Sequence, residues 1–250
     1  MSDKRQSSRD GSALDAAFQN TLWSRVFAAG KFDSPQSRQA LEELCRLYWY
    51  PIYAYVRRWG HDRHDARDLT QGFFAYLLEG NLFGKADPGR GRFRSFLLGT
   101  LQNFVRSQKV KELALKRGGG AELLSIDEET AEGRYAHEPS TKVTPETLFD
   151  RRWALTVLEQ AMQRLEAEYS RANMKELFAA LQPYLTGDGE ASFAELGGRV
   201  NRSEGGARVL VFRFRTRFRQ LIRAVIGDTV SDLDQVELEL KHLQAALREN

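Results

Sequence analysis

One cysteine, six prolines and four histidines in 250 residues are small numbers, and each scarcity removes a class of protein. A lone Cys45 excludes an intramolecular disulfide and fits a reducing cytoplasm. Its setting, LEELCRLYWY, reads as a core helix position where cysteine serves as a small hydrophobe. No apolar run approaches the ~18–20 residues of a membrane span, and no apolar leader opens the chain. A soluble cytoplasmic protein without membrane insertion is expected. His61 and His64 lie three apart with no third ligand nearby, and His137 and His242 stand alone, which argues against a metal centre. The glycine-rich GKADPGRGR at 84–92 lacks the terminal Gly-Lys-Ser/Thr and the preceding strand of a phosphate-binding loop. Glu128 and Glu129 lie in a polar stretch where no pocket could shift their pKa values, and no nucleophile sits beside a base. The expectation is a protein with no cofactor, no small-molecule substrate and no catalysis of its own.

What the chain does have is helical periodicity and segregated charge. The net charge is only +3, but residues 90–117 hold eight Lys/Arg against Glu112, and residues 204–223 hold six arginines against Glu204. Acidic residues gather instead at 122–150 and 228–250. Two basic blocks parted by an acidic one suggest two modules that face polyanions. Leu14, Phe18, Leu22 and Val26 repeat at fourfold spacing on one helix face. Ser34-Pro35 is a helix start, Leu41, Leu44, Cys45 and Tyr48 form the next face, and Pro51 should break or kink that helix before residues 53–59 resume it. Residues 62–78 turn Ala66, Leu69, Phe73 and Leu77 inward, and 93–116 form a long basic helix after the turn ADPGRG. Gly118-Gly119-Gly120 closes a first domain, 13–117, behind a polar, disordered 1–12. Residues 118–144 read as a flexible acidic linker, and a second helical domain, 145–227, opens with Leu148, Trp153, Val157, Leu158 and Leu165 in a stripe. No strand alternation is present, so the fold class is all-α with two helical domains.

The stretch 192–223, SFAELGGRVNRSEGGARVLVFRFRTRFRQLIR, has the outline of a helix-turn-helix: a helix, a tight turn at 200–203, and a long basic helix capped by Ser203. Ala207, Val211, Phe214, Phe218, Leu221 and Val225 share the packing face, while Arg208, Arg215 and Arg219 share another, flanked by Arg213 and Arg217. Arginine suits bidentate guanine readout and phosphate clamping, and the arginines are expected to lack acidic partners along the helix. Val209, Leu210 and Phe212 fall off the packing face, positioned for thymine methyls or for another element. In the tail at 228–250, Leu233, Val236, Leu240, Leu243 and Leu247 form a seam of two heptads. It is expected to pack on the second domain, with a regulatory or self-association surface as the alternative.

Three segments in this order resemble extracytoplasmic-function sigma factors of bacterial RNA polymerase, in the sigma-70 family: DARDLTQGFFAYLL (65–78), GRFRSFLLGTLQNFV (91–105) and the helix-turn-helix. SPQSRQALEELCRLYWYPIYAYVRRWG (34–60) and SDLDQVELELKHLQAAL (231–247) resemble one large branch of that family, so the likeness runs from Leu14 onward. The resemblance implies an alternative sigma factor whose partners are core RNA polymerase, promoter DNA and an anti-sigma factor. It implies that the first domain binds the polymerase clamp through Asp65, Asp68, Leu69 and Gln71. It further implies that Arg92, Arg94, Asn103, Arg106, Lys109 and Lys111 melt and read the −10 element. Phe93, Leu97, Leu101 and Phe104 share helical spacing and are read mainly as core. The second domain would read the −35 element through Ser203, Glu204, Arg208, Val209, Phe212, Arg213 and Arg215. The linker would thread the polymerase's cationic RNA-exit path. The chain departs from the family at Gly72, usually acidic, and at Ser107 and Val110, usually aspartate and arginine. The rival readings are a stand-alone helix-turn-helix regulator and a protein that sequesters polymerase; the block 65–105 has no role in the first.

Overall fold

The computed structural model describes residues 35–80, 82, 92–112, 128–136, 143–186, 192–230 and 233–248. The stripe at Leu14–Val26, the ADPGRG turn, the Gly118–Gly120 run and most of the expected linker lie outside the described residues. The described residues are helical throughout, with no strand among them, in keeping with the all-α expectation. None of the described helices is long and apolar enough to cross a membrane. They fall into two compact units: one takes the chain up to Thr156 and again from Ile226, the other is Val157–Val225. The first unit therefore holds residues 145–156 and the C-terminal tail, which the sequence reading assigned to or beside the second domain.

The first unit is built around α1 (Pro35–Arg58). Leu47 to Val56 are buried without a break, so this helix is apolar all round over its second half and lies at the centre of its unit. It also runs straight through Pro51 without ending. A proline inside a helix costs about 3 kcal/mol in a lost hydrogen bond and a ring clash. Ten consecutive buried residues, among them Tyr48, Ile52, Tyr53 and Tyr55, outweigh that local penalty. Against α1 pack α2 (Arg63–Glu79) and α4 (Glu128–Ala136), and α2 in turn packs on α3 (Phe93–Glu112).

Helix α2 starts where Asp62 caps it, its side chain accepting from the Asp65 amide at 2.9 Å. Ala66, Leu69, Phe73 and Leu77 all face inward as their spacing requires. On α3, Phe93, Leu97, Leu101 and Phe104 are buried, the core role favoured from their spacing, with Phe104 lying 5.5 Å ring to ring from Phe73. Gly72 of α2 faces the same ring: a Cβ there would sit 3.6 Å from Phe104 Cζ.

Helix α4 corrects one expectation, because part of the supposed linker is an ordered helix on the first unit. Ala131 is buried, and Glu132 accepts from Arg57 Nη2 at 2.7 Å, Arg57 Nε at 3.1 Å and the Tyr53 hydroxyl at 2.5 Å. Arg57 holds the Glu132 carboxyl below the usual carboxylate range, with the Tyr53 hydroxyl assisting. Tyr135 receives Arg57 over its ring at 4.7 Å, and Arg134 lies 4.6 Å over Tyr50.

Two helices pass from one unit into the other, α5 (Pro145–Arg171) and α9 (Glu204–Gly227). The second unit adds α6 (Lys175–Leu181), the four-residue α7 (Pro183–Thr186) and α8 (Phe193–Arg199). Its core centres on Phe214, buried edge-on against Tyr169 at 5.5 Å and Phe178 at 5.8 Å. The tail forms α10 (Leu233–Arg248), with Val236, Leu243 and Ala246 buried; it belongs to the first unit, whereas it was expected to pack on the second domain.

Candidate nucleic-acid interface

Helix α8 begins with a complete capping box. Ser192 Oγ accepts from the Glu195 amide at 3.2 Å, and Glu195 Oε2 accepts from the Ser192 amide at 2.9 Å. The helix ends in a tight left-handed turn. Asn201 takes φ 53°, and the Arg202 amide reaches back to the Gly197 carbonyl at 2.8 Å. Asparagine tolerates that conformation better than other side chains do. Gly197 is required for a different reason, since a Cβ on it would lie 2.6 Å from the Arg202 carbonyl oxygen. Ser203 then caps α9, its Oγ accepting from the Gly206 amide at 3.2 Å. Residues 200–203 thus connect α8 to α9, the span the sequence pattern assigns to the turn.

The faces of α9 separate cleanly. Ala207, Val211, Phe214, Leu221 and Val225 are buried. Gly205, Arg208, Val209, Phe212 and Arg213 form one exposed strip at spacings of three and four, with Phe212 67% and Val209 49% exposed. Two apolar side chains held in water between two arginines are what base edges and thymine methyls would meet. Among the described residues no other element covers them.

The expectation of arginines without acidic partners is corrected in part. Arg208 pairs with Glu204 one turn back at 2.6 Å and lies 5.1 Å over the Phe193 ring. An exposed pair of this kind is worth about 0.3–0.5 kcal/mol and yields readily to a phosphate. Arg217 is bound bidentately by Glu168, at 2.5 and 2.9 Å, and its hydrogen bonds hold the Glu168 carboxyl below its ordinary range. Arg215 donates from Nε to the Tyr184 carbonyl at 2.8 Å. These two arginines are engaged by their own unit, whereas Arg213 and Arg219 have no ion pair among the described residues. The expected reading surface narrows to Ser203, Glu204 and the strip from Arg208 to Arg213.

In the first unit, Asp65 and Asp68 are exposed on α2, Gln71 is half-buried, and Leu69 is turned into the core at 9% exposure. Leu69 was expected at the clamp surface; its helix face assigns it to packing instead. Further along the same helix Tyr76, absent from the sequence expectations, is 44% exposed with its ring 5.3 Å from that of Phe104. On α3, Asn103 and Arg106 are exposed and Arg92 is half-buried, while the side chains of Lys109 and Lys111 lie outside the described residues.

Arg94 is the main correction. Expected at a backbone phosphate, it is 4% exposed and cannot reach one in this arrangement. Its Nη1 meets Asp150 Oδ1, its Nε donates to Glu239 Oε2 at 3.1 Å, and its guanidinium lies 4.9 Å over the Trp153 ring. Arg92 Nε stands 3.1 Å from the other oxygen of Glu239, an ionic contact without hydrogen-bond alignment, and His242 Nε2 is 3.0 Å from Asp150 Oδ2. Burying such charges is tolerable only because two arginines face two carboxylates. Glu239, 2% exposed, was missed from sequence although a signal exists: it sits three residues after Val236 and four before Leu243, inside an apolar seam.

Among the described residues no group of three or more His, Cys, Asp or Glu could hold a metal ion. No protein-family model, curated protein or solved structure matched the chain in comparison.

Proposed function

We propose that the chain is an alternative sigma factor of the extracytoplasmic-function type, which binds core RNA polymerase and directs it to a subset of promoters. In this reading α8 and α9 are a helix-turn-helix, and α9 enters the major groove of the −35 element. The observation that carries it is the exposed strip Arg208–Val209–Phe212–Arg213, on a helix whose opposite face buries Ala207, Val211, Phe214, Leu221 and Val225 and half-buries Phe218. Two cations and two apolar groups one turn beyond a helix N-terminus match the chemistry of base edges and phosphates together. A merely solvated face would have no reason to hold Phe212 in water.

The exposed Asp65 and Asp68, with Tyr76 two turns further along α2, supply the carboxylates and the exposed ring through which this helix would meet the polymerase clamp. On α3, Asn103 and Arg106 are the described side chains best placed to meet the opened −10 region. Nucleic-acid opening belongs to the holoenzyme, because each unit alone offers few phosphate contacts. The test is co-purification: the chain mixed with purified core RNA polymerase should elute with it by size exclusion, and Asp65→Arg with Asp68→Arg should abolish that. Elution of the wild-type chain apart from core polymerase would end the reading.

A further inference from the structure

The tail helix bears on the basic helix in a way that neither the reading above nor the sequence pattern anticipates. Buried carboxylates are rare, and Glu239 is placed within ionic reach of two arginines near the start of the basic block, Arg92 and Arg94. Asp150 completes the arrangement from α5, and His242 of α10 reaches the same aspartate. The apolar residues of α10 that hold it in place are Val236, Leu243 and Ala246, each about one-twentieth exposed. A carboxylate bound across two guanidiniums presents the chemistry of a phosphate to them. Yet it belongs to an amphipathic helix of only 16 residues.

We infer that α10 is an intramolecular clasp: Glu239 occupies Arg92 and Arg94 in place of nucleic-acid phosphate, and displacement of α10 uncovers both, leaving Asp150 as the carboxylate still on Arg94. The inference rests on α3 facing nucleic acid, and it adds that this face is held closed in the free chain. It gives the tail a role through charge competition, and it accounts for the burial of Arg94 on the basic helix and the ionic contact of Arg92 just before it. Opening would expose the apolar seam of α10 as well, so a partner that captures this helix would release the arginines.

The test compares the full-length wild type with Glu239→Gln, which removes the competing charge, and Leu243→Ala, which loosens α10 without changing charge. Glu237→Gln makes the same charge change at an exposed position of the same helix and serves as control. The first readout is modification by phenylglyoxal, mapped to Arg94 by mass spectrometry. The second is binding of a fluorescein-labelled single-stranded 20-mer across a salt series. Each arginine newly engaged should tighten binding about fivefold at 0.1 M salt and steepen the log–log salt slope by about 0.7. Glu239→Gln and Leu243→Ala should both show Arg94 modified and binding tightened, and Glu237→Gln neither. Continued protection of Arg94, or unchanged slopes in both variants, overturns the clasp. Should Glu239→Gln fail to fold, Leu243→Ala decides alone, since it leaves every charge in place. A parallel run-off reaction with core polymerase and the wild-type chain reports on the sigma reading: absence of initiation refutes that reading, whatever Arg94 does.

Discussion

Two adjacent glycines of α8 make opposite predictions. At Gly197 an added Cβ would stand 2.6 Å from the Arg202 carbonyl oxygen and 3.3 Å from the Ser203 carbonyl carbon, both backbone atoms of the turn into α9. Neither atom can swing aside as a side chain would. The turn must open, straining the Arg202-to-Gly197 hydrogen bond that ends α8. Overpacking of this kind costs about 1–3 kcal/mol. At Gly198 nothing lies within 4 Å of the new methyl, the residue is exposed, and the backbone is helical. There alanine should stabilise by about 0.4–1 kcal/mol, through reduced freedom of the unfolded chain and better helix propensity. For a chain of this size 1 kcal/mol moves Tm by roughly 2–4 °C, so Gly197→Ala should lower Tm by roughly 2–12 °C and Gly198→Ala should raise it by roughly 1–4 °C. Differential scanning calorimetry on both variants measures the contrast. Equal Tm changes of either sign would refute the tight closure of the α8–α9 turn, and with it the fixed placement of α9's N-terminus.

Three further outcomes follow from named contacts. Arg213→Ala should weaken binding of a promoter duplex by the holoenzyme by about 1–3 kcal/mol, whereas Arg217→Ala, already taken by Glu168, should weaken it less; fluorescence anisotropy separates them. Arg57 depresses the Glu132 pKa in the folded chain, so that contribution is complete above the unfolded value of about 4.3 and is lost as pH falls through the lower folded value. Glu132→Gln should therefore be less stable than wild type at pH 7, with the gap narrowing as pH falls below the unfolded carboxylate value; a gap constant with pH would contradict the pairing. Burial, with the nearby Glu42 charge adding to it, pushes the Cys45 thiol up to about 12, so the folded chain should resist Ellman's reagent at pH 8 and react at once in guanidinium.

Local periodicity carried much of the helical pattern. Ala66, Leu69, Phe73 and Leu77 on α2, and Phe93, Leu97, Leu101 and Phe104 on α3, are buried at the spacings that marked them. Capping chemistry at Ser203 was equally local and equally readable. Long-range terms were not. Continuity of α1 through Pro51 depends on neighbours burying ten residues in a row, which no window around the proline reveals. The docking of α4 hangs on Glu132 meeting Arg57, 75 positions away, so a polar, acidic segment looked like linker. The family resemblance implied a phosphate-facing Arg94 from its place in the basic block, while Glu239, which neutralises it, lies 145 positions on. Arg215 and Arg217 were misjudged for the same reason: their partners, Tyr184 and Glu168, come from other helices. Leu69 shows the converse, since its place on the apolar face of α2 already spoke for the core.

The central claim is that this chain directs transcription initiation through core RNA polymerase. Run-off transcription on a genomic fragment library, with purified core polymerase and the full-length chain, tests it most directly. The account predicts discrete transcripts from a limited set of fragments, absent with core polymerase alone and reduced by Arg208→Ala combined with Arg213→Ala. Transcripts no different from those of core polymerase alone would contradict it.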